Sequence, residues 1–146
     1  MSQKIPRPTP AFIGASWLAL LVGAITYLAG LWNAPMPLQA KGYYLSILLY
    51  GLFAVVSLQK TVRDRLEGIP VTGIYYGLCW FSVGVSILLL IVGLWNADME
   101  SSQKGFYGIS FLMSLFAAVA VQKNVRDVAL ENPAIPSGPS EEENLR

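Results

Sequence analysis

The chain has 146 residues and a formal net charge of +1, and 54% of its residues are hydrophobic while 13% are charged. An ordinary soluble domain has about 25% charged residues, so this composition, with a mean hydropathy of +0.51, excludes a typical water-soluble protein and indicates a membrane protein. The chain has no histidine and one cysteine, which excludes zinc, iron–sulfur, disulfide and Cys/His nucleophile sites. We expect no metal, no cofactor and no nucleic-acid partner.

Four runs without Asp, Glu, Lys or Arg are predicted to span the membrane, at 11–32, 43–58, 73–95 and 106–121. About 20 apolar helical residues cross the hydrocarbon core of a bilayer, and the first and third runs reach that length unaided. The second and fourth runs are shorter, but each continues into an amphipathic segment from which Lys60 or Lys123 can reach the headgroups. The sequence therefore predicts an all-α membrane protein with four transmembrane helices.

Two alternatives to these spans have less support. A soluble four-helix bundle needs polar faces that repeat every 3.6 residues, and the four runs lack them. A cleaved signal peptide has an apolar region of about 7–15 residues, shorter than the first run. The run that matches the first one, at 73–95, is internal, so it cannot be a cleaved leader.

The second half of the chain repeats the first half. Between Gly14 and Asp64, about 22 of 51 residues are identical to the residue 63 positions further along, which indicates an internal duplication. Each copy holds two spans, so both copies enter the membrane from the same side. We therefore expect two parallel tandem helical hairpins related by an axis along the membrane normal, and not an inverted pair.

The spans and the duplication divide the chain into five predicted segments. These are a cytoplasmic N-terminal segment (1–10), a first two-helix membrane unit (11–66), a cytoplasmic linker (67–73), a second two-helix membrane unit (74–130) and a disordered cytoplasmic tail (131–146). Seven Lys and Arg residues flank the spans on the side of the termini and the linker, and the hairpin loops hold Lys41 and Lys104. The positive-inside rule then predicts that both termini are cytoplasmic.

The pentapeptide Gly-Leu-Trp-Asn-Ala ends the first and third spans, at 30–34 and 93–97. Trp32 and Trp95 fall where apolar residues give way to polar ones, a level that tryptophan prefers in membranes. Asn33 and Asn96 are expected to end the helices, either in left-handed backbone conformation or by bonding the last carbonyl groups. We interpret the segment as an interfacial anchor and cap, with a ligand or partner site as the alternative.

The motif Gln-Lys-x-Val-Arg-Asp follows the second and fourth spans. Its spacing predicts (i, i+4) pairs between Gln59 and Arg63, Lys60 and Asp64, Gln122 and Arg126, and Lys123 and Asp127. One interpretation is that these basic residues fix topology and contact anionic headgroups. The alternative is that the symmetry axis brings both copies together as a polar ring that binds a cytoplasmic partner or an anionic lipid.

Small residues at helical spacing predict close helix–helix contacts. They are Ala15, Ala19, Gly23, Gly51 and Ala54. Such faces serve packing within one chain or between chains. The positions of the third span that match Ala15, Ala19 and Gly23 are Leu78, Ser82 and Ser86. Because the first and third spans differ there, we expect one of them to meet another subunit in a closed homo-oligomer.

Several spaced motifs of the chain closely resemble the bacterial YiaA/YiaB inner membrane family. They are the tandem W-x(14)-W-N hairpins from Trp17 and Trp80, the K-G-[YF]-Y segments at 41–44 and 104–107, and the twice-written Gln-Lys-x-Val-Arg-Asp. The resemblance covers about residues 10–130 and matches the form with two copies of the two-helix unit. It implies a four-helix protein of the bacterial inner membrane, and it implies no catalytic residues.

Three functional hypotheses remain. The first is a non-enzymatic scaffold or accessory protein that self-associates in the membrane. The second is an oligomeric pore or small-solute facilitator lined by Ser and Thr side chains such as Thr26, Ser46, Ser86 and Ser110. The third is a lipid-binding protein. No span carries Asp, Glu, Lys, Arg or His, which argues against ion-coupled transporters and voltage sensors.

Overall fold

The computed structural model describes residues 7–131, and four helices make up most of that range. They are α1 (Pro10–Asn33), α2 (Leu38–Leu66), α3 (Gly73–Asn96) and α4 (Ser101–Glu131). Each helix is long and apolar enough to cross a membrane, which confirms the predicted fold class of two tandem two-helix units. Residues 1–6 and almost all of the predicted tail at 131–146 lie outside the described residues.

The first helix of each unit begins at the same kind of residue. The hydroxyl oxygen of Thr9 accepts a hydrogen bond from the Phe12 amide at 3.2 Å, and that of Thr72 accepts from the Tyr75 amide at 3.3 Å. Threonine is a favoured N-cap because its side chain satisfies an amide that the helix leaves unpaired. The two caps are 63 residues apart, so the duplication also sets where each unit enters the membrane.

The turn between α2 and α3 is a Schellman motif. The amide of Ile69 donates to the Asp64 carbonyl at 2.8 Å, and the amide of Gly68 donates to the Arg65 carbonyl at 3.2 Å. Gly68 has φ +77°, in the left-handed region that glycine adopts without steric cost. The chain therefore reverses within a few residues, and α3 packs antiparallel against α2.

The two units interlock. Helix α1 packs mainly against α4, α3 packs mainly against α2, and the equivalent helices α2 and α4 pack together at the centre, whereas the two helices of one unit barely touch. The order across the bundle is thus α1, α4, α2, α3. Each unit depends on the other to cover its buried faces, so we treat the described chain as one structural unit.

A cluster of aromatic side chains fills the centre of the bundle. Tyr27 and Phe111 are fully buried, and the Tyr27 hydroxyl donates to the Tyr44 carbonyl at 2.8 Å. Tyr44 and Tyr107 are equivalent positions of the two units, and their rings stack at 6.0 Å with an interplanar angle of 18°. The pseudo-twofold axis that relates α2 to α4 therefore runs between these two rings.

The predicted small-residue contacts divide between the inside and the outside of the bundle. Gly23 lies against Ser114 of α4, and Gly51 lies against the Phe111 ring, while Ala54 is also buried. Ala19 is half-buried and Ala15 is exposed. Gly23 therefore packs within the chain, against α4 of the other unit, whereas Ala15 on the same helix stays uncovered.

Candidate functional site

The two ends of the bundle carry different repeated segments. We call the end with both Gln-Lys-x-Val-Arg-Asp motifs, at 59–64 and 122–127, the basic end. We call the end with both Gly-Leu-Trp-Asn-Ala segments, at 30–34 and 93–97, the loop end. Most candidate residues from the sequence lie at one of these two ends.

At the basic end, the arginine of each motif binds the aspartate of the other motif. Arg63 on α2 forms an ion pair with Asp127 on α4, and Arg126 on α4 forms an ion pair with Asp64 on α2 at 2.6 Å. Both carboxylates are largely buried, with 2% and 10% of their side chains exposed. Because α2 and α4 are related by a twofold axis, one Arg-Asp dipeptide written twice yields two reciprocal bridges.

Half of the predicted (i, i+4) pairs form. Lys60 lies 2.9 Å from Asp64, and Lys123 lies 2.8 Å from Asp127, as predicted. The predicted pairs of Gln59 with Arg63 and of Gln122 with Arg126 are wrong, because both arginines turn to carboxylates. A charge-assisted bond to a carboxylate is stronger than one to a neutral amide.

Glu67 also belongs to this cluster, although the sequence did not single it out. Its carboxylate accepts from Arg63 at 2.9 Å and from Arg126 at 2.8 Å. These two guanidinium groups hold the pKa of the Glu67 carboxyl below its usual range. Glu67 was missed because the equivalent residue of the second unit is Leu130, so a search for repeated residues passes over it. The (i, i+4) spacing to Arg63 was the available signal.

Lys60, Lys123 and Arg65 surround this cluster and are more exposed than its arginines. The Lys60 and Lys123 side chains are 60% and 50% exposed, and the Arg65 guanidinium lies 4.3 Å from the centre of the Tyr76 ring on α3. Each lysine therefore binds an aspartate on its own helix with its ammonium group partly open to the surroundings, while the arginines connect the two helices. No group of three or more metal-ligating residues occurs within residues 7–131.

At the loop end, each residue of the repeated pentapeptide has a separate structural task. Trp32 and Trp95 are 81% and 82% exposed and point away from the bundle, as an interfacial anchor requires. The Asn33 amide donates to the Ala29 carbonyl at 2.9 Å, and the Asn96 amide donates to the Val92 carbonyl at 2.8 Å. Of the two predicted ways to end the helix, the asparagines thus use the hydrogen bond.

The glycine of the pentapeptide allows an aromatic ring of the other unit to approach. A Cβ atom at Gly30 would lie 2.6 Å from the Phe106 ring, and one at Gly93 would lie 2.6 Å from the Tyr43 ring. At such a distance the ring would have to move before a side-chain carbon could fit. Sequence reasoning missed this task because it requires knowing that α1 packs on α4 and α3 on α2.

A cavity of about 770 Å³ opens at the loop end between the two units. Its lining includes pairs of equivalent residues, among them Asn33 and Asn96, Met36 and Met99, and Tyr44 and Tyr107. The buried rings of Tyr27 and Phe111 pack next to this pair, with the Tyr27 ring 5.6 Å from the Tyr107 ring and 6.2 Å from the Phe111 ring. The lining of the cavity includes Tyr44 and Tyr107 but no residue of the basic end.

Polar side chains also line the cavity, among them Asn33, Asn96, Ser102 and Gln103. The Tyr43 hydroxyl donates to the Leu89 carbonyl at 2.6 Å, so it is already satisfied. Asp98 is the one lining residue that carries a formal charge at neutral pH. Pockets that combine apolar walls with a few polar groups are typical binding sites for small molecules.

Comparisons with known proteins agree with the duplication. A family model described as the yiaA/B two helix domain matches residues 12–64 and again residues 75–127. The inner membrane protein YiaA of Escherichia coli (strain K12) is 56% identical over 133 residues, which cover 91% of this chain and 92% of that protein. The inner membrane protein YiaB of the same organism is 30% identical over 102 residues, covering 68% of this chain and 84% of YiaB. No solved structure matches the chain.

Proposed function

This chain belongs to the YiaA/YiaB family, and from that premise we propose that it is a non-enzymatic accessory protein of the bacterial inner membrane that self-associates. The observation that carries the proposal is the reciprocal pairing of Arg63 with Asp127 and of Arg126 with Asp64. The duplicated charges join the two units instead of facing a substrate. This use of charge supports a framework protein better than a transporter or an enzyme.

The surface best suited to self-association is the outer face of α3. Gly77 and Gly84 lie seven residues apart on this face, and a Cβ atom at either position would meet nothing within 4 Å. Helix α3 is also at one edge of the bundle, with α2 as its main neighbour. In lipid, helices associate where small residues let backbones come close, so an uncovered pair of glycines supports contact with a second copy. A two-subunit complex closed by a twofold axis is the simplest arrangement.

The experiment compares leucine substitutions on the two edge helices. Gly77→Leu with Gly84→Leu adds bulk on α3, and Gly14→Leu adds bulk at the equivalent uncovered position of α1. We expect the α3 variant to run as a monomer in nanodiscs, counted by single-molecule photobleaching, while wild type and the α1 variant remain dimeric. A monomeric wild-type protein in nanodiscs contradicts the proposal.

We also propose that the basic end faces the cytoplasm, because it collects most of the Lys and Arg residues. The exposed Lys60 and Lys123 side chains would then meet anionic headgroups, each contributing about 1 kcal/mol. A pore built from several copies has less support. Ser86 and Ser110 are buried within the chain, so they do not contribute to a lining between copies.

A further inference from the structure

The cavity at the loop end is lined by two tyrosines whose hydroxyl groups have no partner within residues 7–131. Tyr44 and Tyr107 are each 4% exposed, and neither hydroxyl forms a hydrogen bond with any group in residues 7–131. Neither oxygen is among the fully sealed polar atoms, so its accessible surface opens onto the cavity that both residues line. Each hydroxyl is therefore open to a hydrogen-bond acceptor that enters the cavity, and a ligand atom there would take the place of water.

The two units differ at the neighbouring position in an instructive way. Position 43 is tyrosine in the first unit, and its equivalent, position 106, is phenylalanine, whereas positions 44 and 107 are both tyrosine. The Tyr43 hydroxyl bonds a backbone carbonyl. The hydroxyls at 44 and 107 have no such role in the fold. Two symmetric phenol groups at the floor of a cavity are suited to donate to one acceptor atom on the pseudo-twofold axis.

The walls of the cavity restrict the rest of the ligand. They include the thioethers of Met36 and Met99 and the ring of Phe106, which favour an apolar body. The single charged lining residue is Asp98, whose carboxylate repels anions. The rings also bind one another, through T-shaped and stacked contacts at 5.3–6.0 Å, so their faces are not available to form a cage for a cation.

We propose that the loop-end cavity binds an uncharged amphipathic molecule whose hydrogen-bond acceptor, such as an ester or ketone oxygen, receives the hydroxyls of Tyr44 and Tyr107. A volume of about 770 Å³ lies within the usual range of pockets for ligands of this kind. The exposed Trp32 and Trp95 rings lie at the same end, at the level where such molecules collect in a bilayer. This binding requires no contact between copies of the chain, so it stands apart from self-association.

The test uses photoreactive amphiphiles of one chain length in nanodiscs that hold the full-length protein. The uncharged probe is a diazirine-labelled monoacylglycerol, and the matched fatty acid and alkylamine supply an anionic and a cationic head. We expect saturable labelling by the uncharged probe, located by mass spectrometry in the peptides that contain Met36 or Met99. Equal labelling by the charged probes, or labelling that never saturates, overturns the proposal.

Isosteric variants then test the two hydroxyls. Tyr44→Phe with Tyr107→Phe removes both while keeping the stacked rings, and it should raise the half-saturating probe concentration at least about tenfold, the loss of two hydrogen bonds. Tyr43→Phe is the matched control and should shift it less than about twofold, since its hydroxyl is already bonded to Leu89. Met99→Trp fills the cavity from a loop and should abolish labelling. Unchanged half-saturation in the double variant overturns the proposal.

Competition distinguishes a lipid from a free solute. Unlabelled long-chain monoacylglycerol in the disc competes if the ligand comes from the bilayer. A soluble short-chain glycerol ester, added from the aqueous phase, competes as well if the head alone is recognised. Either result supports the same chemistry at Tyr44 and Tyr107, whereas competition by neither compound overturns it.

Discussion

The basic end and the loop end are both built from segments that the chain writes twice, yet they use the duplication in opposite ways. At the basic end the two copies bind each other, because arginine and aspartate side by side on each helix become complementary under a twofold axis. At the loop end the glycines admit rings of the other unit, and the two copies surround a cavity. At the basic end the two copies of one segment form ion pairs with each other. At the loop end they do not pair and instead leave a cavity between them.

The largest expected effect concerns which end faces outward. In a Cys79→Ser background, cysteines at Gln39 and Ser102 of the loop end should react with an impermeant thiol reagent added outside the inner membrane. A cysteine at Gly68, beside the basic end, should not react if that end faces the cytoplasm as proposed, on the side that the positive-inside rule assigns to Lys and Arg. Labelling at Gly68 in intact cells, with none at Gln39, reverses the topology.

Breaking one reciprocal bridge should cost more stability than any other single substitution described here. Asp127→Asn leaves Arg63 without its interhelical carboxylate. We expect the free energy of unfolding to fall by about 2 to 3 kcal/mol. This is at or below the usual cost of breaking a buried ion pair, because Arg63 still pairs with Glu67. SDS-induced unfolding in mild detergent, followed by tryptophan fluorescence, measures it.

The matched control for Asp127 is its other partner, Lys123, whose side chain is 50% exposed. Lys123→Gln should cost less than about 1 kcal/mol, as exposed pairs do. If both variants lose the same stability, the contact between α2 and α4 at the basic end is stabilised by the ion pairs along each helix and not by the bridges between the two helices.

The hydropathy pattern predicts the four helices closely, because each apolar run can be recognised from its own residues. The 63-residue repeat then groups these helices into two equivalent units. The pattern and the repeat could not predict which helix packs on which, because two copies of one unit offer equivalent faces to each other and to themselves. That choice decides the rest. The packing of α1 on α4 places Gly23 against Ser114, and the packing of α2 on α4 brings Arg63 to Asp127 instead of Gln59. The same packing creates the cavity. A cavity is space between segments, so no residue pattern in the sequence indicates it directly. Glu67 lay outside the repeat, and although its (i, i+4) spacing to Arg63 was visible in the sequence, its contact with Arg126 required the fold.

A pair of alanine substitutions compares the two halves of the loop end. A Cβ atom at Gly93 meets the Tyr43 ring, whose hydroxyl is tied to Leu89, so the ring cannot swing away. A Cβ atom at Gly30 meets the Phe106 ring, which has no hydroxyl to hold it. We expect Gly93→Ala to destabilise by about 1 to 3 kcal/mol, the usual cost of overpacking.

Gly30→Ala should be nearly neutral, because displacement of the Phe106 ring offsets a helix-propensity gain of up to about 1 kcal/mol. The same SDS-induced unfolding measures both variants. Equal losses at the two glycines would mean that the Tyr43 hydroxyl does not fix its ring.

The smallest expected effect is a pH dependence of the basic end. Arg63 and Arg126 lower the pKa of Glu67 below its ordinary value of 4.5. The ionised form of this carboxyl group is therefore more favoured in the folded protein than in the unfolded chain. The stabilisation is therefore complete above about pH 4.5 and is lost as the pH falls through the lower pKa of the folded state.

Because the Glu67 side chain is 26% exposed, we expect this stabilisation to be at most about 1 kcal/mol. Wild type should exceed Glu67→Gln in midpoint of thermal unfolding at pH 7, and the difference should be smaller at pH 3 and in high salt. Glu100→Gln, an exposed glutamate of the loop end, is the matched control and should leave the midpoint unchanged at both pH values. A difference between wild type and Glu67→Gln that is as large at pH 3 as at pH 7 would assign the effect to packing of the side chain and not to its charge.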